Sequence, residues 1–199
     1  MPDCELERLK EARNEVEKLL IFGAWLTKKV KEKGARPPIV VGGSAVEIYS
    51  FGHYTSGDID LVGSREVVKD VLLLSGYFRE EGRFFVSDEL ELFVEVPDDS
   101  LAGSYDKIRV IKVPEIEGEV YVIGIEDLII DRLLACVVWK SEEDCRMTEY
   151  LLSKYKDEID LSYLKNRAQQ ERVSSKLESI LKKEKGKKNA RGKGNYPKS

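Results

Sequence analysis

Val40-Val41-Gly42-Gly43-Ser44-Ala45-Val46-Glu47-Ile48-Tyr49 and, one short loop later, Ser56-Gly57-Asp58-Ile59-Asp60-Leu61-Val62 decide how this chain is read. Pro37-Pro38 stops whatever precedes them, Ile39-Val40-Val41 has the apolar run of a short buried strand, and Ser44 onward can begin a helix. Gly42-Gly43 is then the hinge between strand and helix. Glycine lets a phosphate approach the backbone closely, and a helix N-terminus offers free N–H groups with a favourable dipole. The Ser44 hydroxyl suits either helix capping or a bond to a phosphate oxygen.

The second half of the stretch carries charge. Side chains two apart on a strand point to the same face, about 7 Å from one another. Asp58 and Asp60 therefore project together while Ile59, Leu61 and Val62 bury the strand. Paired carboxylates repel, and a hard divalent cation such as Mg²⁺ relieves the repulsion by taking one or two of them together with substrate phosphates. A turn around Ser56-Gly57-Asp58 is the plainer reading of the first aspartate.

A third carboxylate is sought in Leu90-Glu91-Leu92-Phe93-Val94-Glu95-Val96, which alternates. Leu90, Leu92, Val94 and Val96 share one face, and Glu91, Phe93 and Glu95 share the other. Either glutamate can approach the aspartates if this strand lies beside theirs.

The stretch VVGGSAVEIYSFGHYTSGDIDLV resembles the signature of the nucleotidyltransferase superfamily related to DNA polymerase β, and most of all the minimal nucleotidyltransferase-like proteins of bacteria and archaea, some of them in toxin–antitoxin systems. The resemblance implies an α+β fold: a mixed β-sheet flanked by helices, with a helical C-terminal part. It implies binding of a nucleoside triphosphate such as ATP with Mg²⁺ or Mn²⁺, and transfer of a nucleotidyl group to a hydroxyl of an RNA or protein acceptor. Carried over by position, Gly42, Gly43 and Ser44 hold the triphosphate, Asp58 and Asp60 hold the metals, and Glu95 is the third carboxylate because it best matches the family's placement. Two departures stand out: Glu95 takes a position where many relatives carry aspartate, and His53-Tyr54 takes one where many carry arginine. His53, the sole histidine of the chain, and Thr55 are then candidate triphosphate contacts. A catalytically inactive nucleotide- or partner-binding protein of the same fold, including a toxin–antitoxin component, is the alternative.

The rest of the chain frames this region. No Gly-x-Ser-x-Gly elbow, Walker-type Gly-Lys-Ser/Thr or Gly-x-Gly-x-x-Gly occurs, so serine hydrolase, P-loop and dinucleotide-binding readings fall away. Charged residues make up 35% of the 199, above the usual quarter, while Gln, Asn, His, Met and Cys are scarce, which leans towards a thermophile. Cys4, Cys136 and Cys145 show no Cys-x-x-Cys spacing and an odd total, and read as reduced structural thiols. Without a signal peptide or an apolar run near the roughly 18 residues of a membrane span, a cytoplasmic protein with no membrane contact is expected.

Periodicity divides the chain in three. Residues 1–123 form an α/β core behind an N-terminal helix over 5–33, whose leucines and valines keep a 3-to-4 spacing. Strands are expected at Phe84–Val86, Leu90–Val96, Ile108–Val113 and Glu119–Ile123, and a helix capped by Ser64 runs to Leu74. Residues 124–185 form a helical part packed on that core: one helix from Gly124 to Lys140, one from Ser141, and one amphipathic helix over 161–185. Residues 186–199 are expected to be a disordered basic tail; from Lys182 onward eight lysines and arginines face one glutamate, although the whole chain carries −4. Such a tail would attract nucleic-acid phosphates.

Overall fold

A computed structural model describes residues 4–191, with side chains from residue 5 to residue 183. Contacts gather into two compact units, Met1–Gly124 and Ile125–Ser199.

In the first unit a four-residue helix, α1 (Cys4–Glu7), and a 3₁₀ turn precede α2 (Glu15–Glu32). The single helix expected over 5–33 is thus broken at Asn14. The Asn14 side chain accepts the Glu17 N–H at 2.9 Å, and the Glu17 carboxylate reaches back to the Arg13 N–H at 2.6 Å. This is a reciprocal cap, and it starts a new helix inside an unbroken apolar periodicity. There follow β1 (Ile39–Val40), α3 (Gly42–Ser50), β2 (Ile59–Val62), α4 (Arg65–Leu74), β3 (Arg79–Glu81), β4 (Phe84–Ser87), β5 (Leu92–Asp98), β6 (Arg109–Val113) and β7 (Gly118–Val122). Ser64 caps α4 through the Val67 N–H at 3.5 Å.

The seven strands form one mixed sheet in the order β3-β4-β5-β2-β1-β7-β6. The pairs β1–β7 and β2–β5 are parallel, and the remaining neighbours are antiparallel. Helix α2 covers the sheet with Phe22, Trp25 and Leu26, each at most 1% exposed. Phe22 also meets Phe78 at 5.8 Å between ring centres. Each such side chain contributes about 1.5–3 kcal/mol by leaving water. The helix lies close against β7 because two small positions let it: a Cβ on Gly118 would stand 2.9 Å from that of Ala24, and one on Gly23 would stand 3.1 Å from a Val120 methyl.

Strand β3, absent from the expected elements, is Arg79-Glu80-Glu81 at the sheet's edge with every residue exposed. It pairs with β4 from Arg79↔Val86 to Glu81↔Phe84. An edge strand made of charges has no apolar alternation to reveal it, and the same charges discourage pairing with another chain.

The second unit is four helices: α5 (Ile125–Val138), α6 (Glu142–Lys154), α7 (Leu161–Gln170) and α8 (Ser174–Arg191). The last two replace the one helix expected over 161–185; Arg172 breaks them apart with φ +60°. Helix α8 also continues through 186–191, where the tail was expected to begin; residues 192–199 lie outside the described residues. Among the acids of α5, Glu126 accepts the Asp160 N–H at 2.9 Å, and the buried Asp127 accepts from the Tyr163 hydroxyl at 2.9 Å and from Arg167 Nε at 3.1 Å. They are ties between helices. Burial and the Asp127 bond push the Tyr163 phenol up to about 12.

Cys136 and Cys145 form a disulfide, with Cα atoms 4.8 Å apart, where free thiols were expected. Cys136 closes α5 and Cys145 lies in the first turn of α6, so the tight turn between them brings the sulfurs together. None of the described helices is long and apolar enough to cross a membrane.

Candidate active site

Asp60 joins the two halves of the motif. Its carbonyl accepts the Val41 N–H at 3.0 Å, its own N–H is bonded by Ser44 Oγ at 3.0 Å, and its Oδ2 accepts the Gly43 N–H at 3.3 Å. The Ser44 hydroxyl is completely buried and donates onward to the Val41 carbonyl at 3.1 Å. In this arrangement it ties the glycine turn to the strand. Gly42 must be glycine on two counts: its φ is +56°, and a Cβ there would stand 2.3 Å from Asp60 Oδ2. The residue before α3, Val41, has no side chain to cap the helix, and Asp60 Oδ2 takes the place of a cap at the Gly43 N–H.

Register brings in the third carboxylate. Asp60 on β2 is paired with Glu95 on the parallel strand β5, and therefore both side chains leave the same face of the sheet. Glu91, the other candidate, lies before β5 in a left-handed conformation with φ +50°. Asp58 stands at the entrance of β2 and accepts from the Ser56 hydroxyl at 3.4 Å. One oxygen each from Asp58, Asp60 and Glu95 lies within 4.8 Å of the others, all three residues half-buried. Arg83 Nε stands 3.5 Å from Glu95 Oε2 and its guanidinium covers the Phe84 ring at 4.7 Å.

Donor oxygens around an octahedral Mg²⁺ with ~2.1 Å bonds are about 3–4 Å apart. The triad is close to that spacing, and its all-oxygen donors are of the hard kind that Mg²⁺ and Mn²⁺ take. These residues fit a divalent metal.

The loop 51–57 connects α3 to β2. His53 and Thr55 are exposed, with the His53 N–H donating to the Ser50 carbonyl at 3.4 Å and Thr55 lining a cavity of about 560 Å³ beside Asn14, Glu47 and Phe51. It is Tyr54 and Ser56 that reach the glycine turn: a Cβ on Gly43 would stand 2.7 Å from Ser56 Oγ and 3.6 Å from the Tyr54 hydroxyl. Glu47, on α3, is 3% exposed and accepts the Ser56 N–H at 2.9 Å. Burial pushes its carboxyl above the ordinary carboxylate range. Arg83 and Glu47 carried no signal of their own in the sequence. Arg132 pairs with Asp131 at 2.6 Å and with Asp144 at 3.0 Å, within the helical unit.

With the turn, the carboxylates and the sheet order in place, the chain has the fold of the nucleotidyltransferase superfamily. It is similar in structure to an antigenic nucleotidyltransferase-like protein from Paracoccidioides brasiliensis, with a TM-score of 0.57 and 14% identity over 86% of this chain and 94% of that one. A lower similarity, TM-score 0.45 and 13% identity over 83% and 96%, links it to the antibiotic-resistance factor ANT(2'')-Ia. No protein-family model matches the chain, and no curated protein matches its sequence.

Proposed function

We propose that this protein is a divalent-metal-dependent nucleotidyltransferase that moves a nucleotidyl group from a nucleoside triphosphate to a hydroxyl of an RNA or protein acceptor. The observation that carries the reading is the convergence of Asp58, Asp60 and Glu95 beside the Gly42-Gly43 turn. Mg²⁺ or Mn²⁺ held there would lower the pKa of the attacking hydroxyl and neutralise the departing pyrophosphate. The three carboxylates would fix its position. The first-turn N–H groups of α3 other than that of Gly43, which Asp60 holds, would bind the triphosphate, with Tyr54 and Ser56 reaching the same turn and His53 and Thr55 on its approach. Ser44 would act by holding Asp60 rather than by touching phosphate. Catalysis then rests on positioning and charge stabilisation, without a covalent protein intermediate.

The substrate points to a cytoplasmic protein. A disulfide in that compartment is a trait of hyperthermophiles, in line with the charge-rich composition. One observation favours the inactive, nucleotide-binding alternative: Arg83 already pairs with Glu95. Incubation with α-labelled nucleoside triphosphates, Mg²⁺ or Mn²⁺ and mixed RNA and protein acceptors separates the two. Label transfer lost in Asp58→Ala and Asp60→Ala supports the enzyme, and transfer surviving both defeats it. Metal-dependent triphosphate binding without transfer supports the alternative.

A further inference from the structure

Glu47 is a buried acid outside the metal triad, and it is held in an unusual way. One oxygen accepts the Ser56 N–H at 2.9 Å; the other is buried with no hydrogen-bond partner. A buried acceptor left without a donor is destabilising. An apolar side chain would fill the same place without that penalty, so the single bond that Glu47 makes is the feature to explain.

That bond belongs to a strap. The C-terminal turn of α3 holds the 51–57 loop along its length: the Glu47 carbonyl accepts the Gly52 N–H at 3.1 Å, the Ser50 carbonyl accepts the His53 N–H at 3.4 Å, Ser50 Oγ accepts the Tyr54 N–H at 3.1 Å, and the Glu47 carboxyl accepts from Ser56. Phe51 turns the chain out of the helix with φ +56°, its N–H donating to the Ile48 carbonyl at 3.1 Å. Ser56 is the residue that matters at the far end. Its hydroxyl donates to Asp58 at 3.4 Å and occupies the space beside Gly43, where an added Cβ would stand 2.7 Å from it. Glu47, Ser56 and Asp58 line one small cavity of about 50 Å³.

We propose that Glu47 is a positioning residue that fixes the Asp58 carboxylate for metal binding by anchoring Ser56. The inference rests on the metal-site reading only in that Asp58 is a ligand. A merely structural Glu47 would affect melting temperature and leave the metal affinity of folded protein alone. Positioning through Ser56 makes three further demands: the amide of glutamine can still accept the Ser56 N–H, removal of the Ser56 hydroxyl should mimic removal of Glu47, and the two losses should not add.

The test is Mn²⁺ affinity of the full chain, read from the free-ion electron paramagnetic resonance signal, with folding of each variant checked by circular dichroism. Glu47→Gln is expected within about twofold of the parent. Glu47→Ala and Ser56→Ala are each expected to weaken Mn²⁺ about tenfold, and the double variant no more than either, the factor of ten corresponding to about 1.4 kcal/mol. Ser56 is only half-buried, so its variant remains informative if Glu47→Ala does not fold. Unchanged affinity in Ser56→Ala, or additive losses in the double variant, overturns the proposal. Asp58→Ala is the control: if it too binds Mn²⁺ normally, the metal-site reading fails and takes this inference with it, whereas a loss there with none in Ser56→Ala refutes the role of Glu47 alone.

Discussion

Ser44 Oγ accepts the backbone N–H of Asp60 at 3.0 Å, which makes the glycine turn and the carboxylate strand one hydrogen-bonded unit. The serine is completely buried, so nothing replaces it when it is removed. Ser44→Ala is expected to lower stability by about 1–3 kcal/mol, the cost of leaving a buried donor unpaired. Urea denaturation measures that loss, and Mn²⁺ binding should weaken in parallel. A neutral result in both would mean the serine does no more than fill space.

Gly42 and Gly57 predict opposite outcomes from the same substitution. Gly42→Ala forces a side chain into a left-handed backbone and onto Asp60 Oδ2, where 2.3 Å is available. A loss of about 1–3 kcal/mol and of metal binding is expected. At Gly57 a Cβ would meet nothing within 4 Å, and Gly57→Ala should leave thermal midpoint and metal affinity as they are.

The disulfide between Cys136 and Cys145 closes a loop of nine residues' separation. Its removal, by reduction or by Cys136→Ser with Cys145→Ser, is expected to cost about 2–3 kcal/mol on the chain-entropy estimate for a short loop. Thermal melts with and without a phosphine reductant give the difference, and mass spectrometry under alkylation confirms the bond. If Cys136 and Cys145 are both alkylated without prior reduction, the bond does not form in solution.

Acid sensitivity should come from Glu119. Hydrogen bonds from Lys112, Lys31 and the Tyr121 hydroxyl hold its carboxyl down at about 2, against an ordinary 4.5. The folded chain therefore takes up this proton at lower pH than the unfolded chain does. The stabilisation is complete above about pH 4.5 and is lost as pH falls towards 2. Because the side chain is partly solvated, at 22% exposure, the contribution is about 1 kcal/mol. Glu119→Gln should flatten the stability curve between about pH 4.5 and pH 2 by about that amount; an unchanged curve would place the acid transition elsewhere.

Much of the fold was legible because its signals are local. The Ile39-Val40 run, the Gly42-Gly43 hinge, the Ser64 cap and the helix start at Ser141 all appear where the sequence suggested, with ends shifted by a residue or two. The triad was legible in part, since Asp58 and Asp60 declare themselves by spacing, whereas alternation left Glu91 and Glu95 open and the resemblance to the family chose Glu95. What sequence did not show depends on relations across the chain. Asn14 and Arg172 break helices whose apolar spacing runs on undisturbed. Strand β3 exists because β4 pairs with it, and no burial pattern marks it. Cys136 and Cys145 meet only because a tight turn reverses α5 into α6. Glu47 looked like any polar residue on a short helix; its weight comes from the loop that returns to it.

The register of β2 and β5 makes the site a matter of parity. Pairing runs from Ile59↔Val94 and Asp60↔Glu95 to Val62↔Asp98, so the strands fall out of step immediately beyond the triad, where Pro97 lacks an N–H to continue the ladder. Upstream of that break, sliding β5 by one residue would turn Glu95 into the core and set Val94 beside Asp60, while the backbone ladder itself would look almost unchanged. Length changes in the segment between the two strands are thus judged by whether β5 keeps an even or odd phase against β2. A relative that has gained or lost a residue within β5 ahead of Glu95 can keep every motif and still have no third ligand.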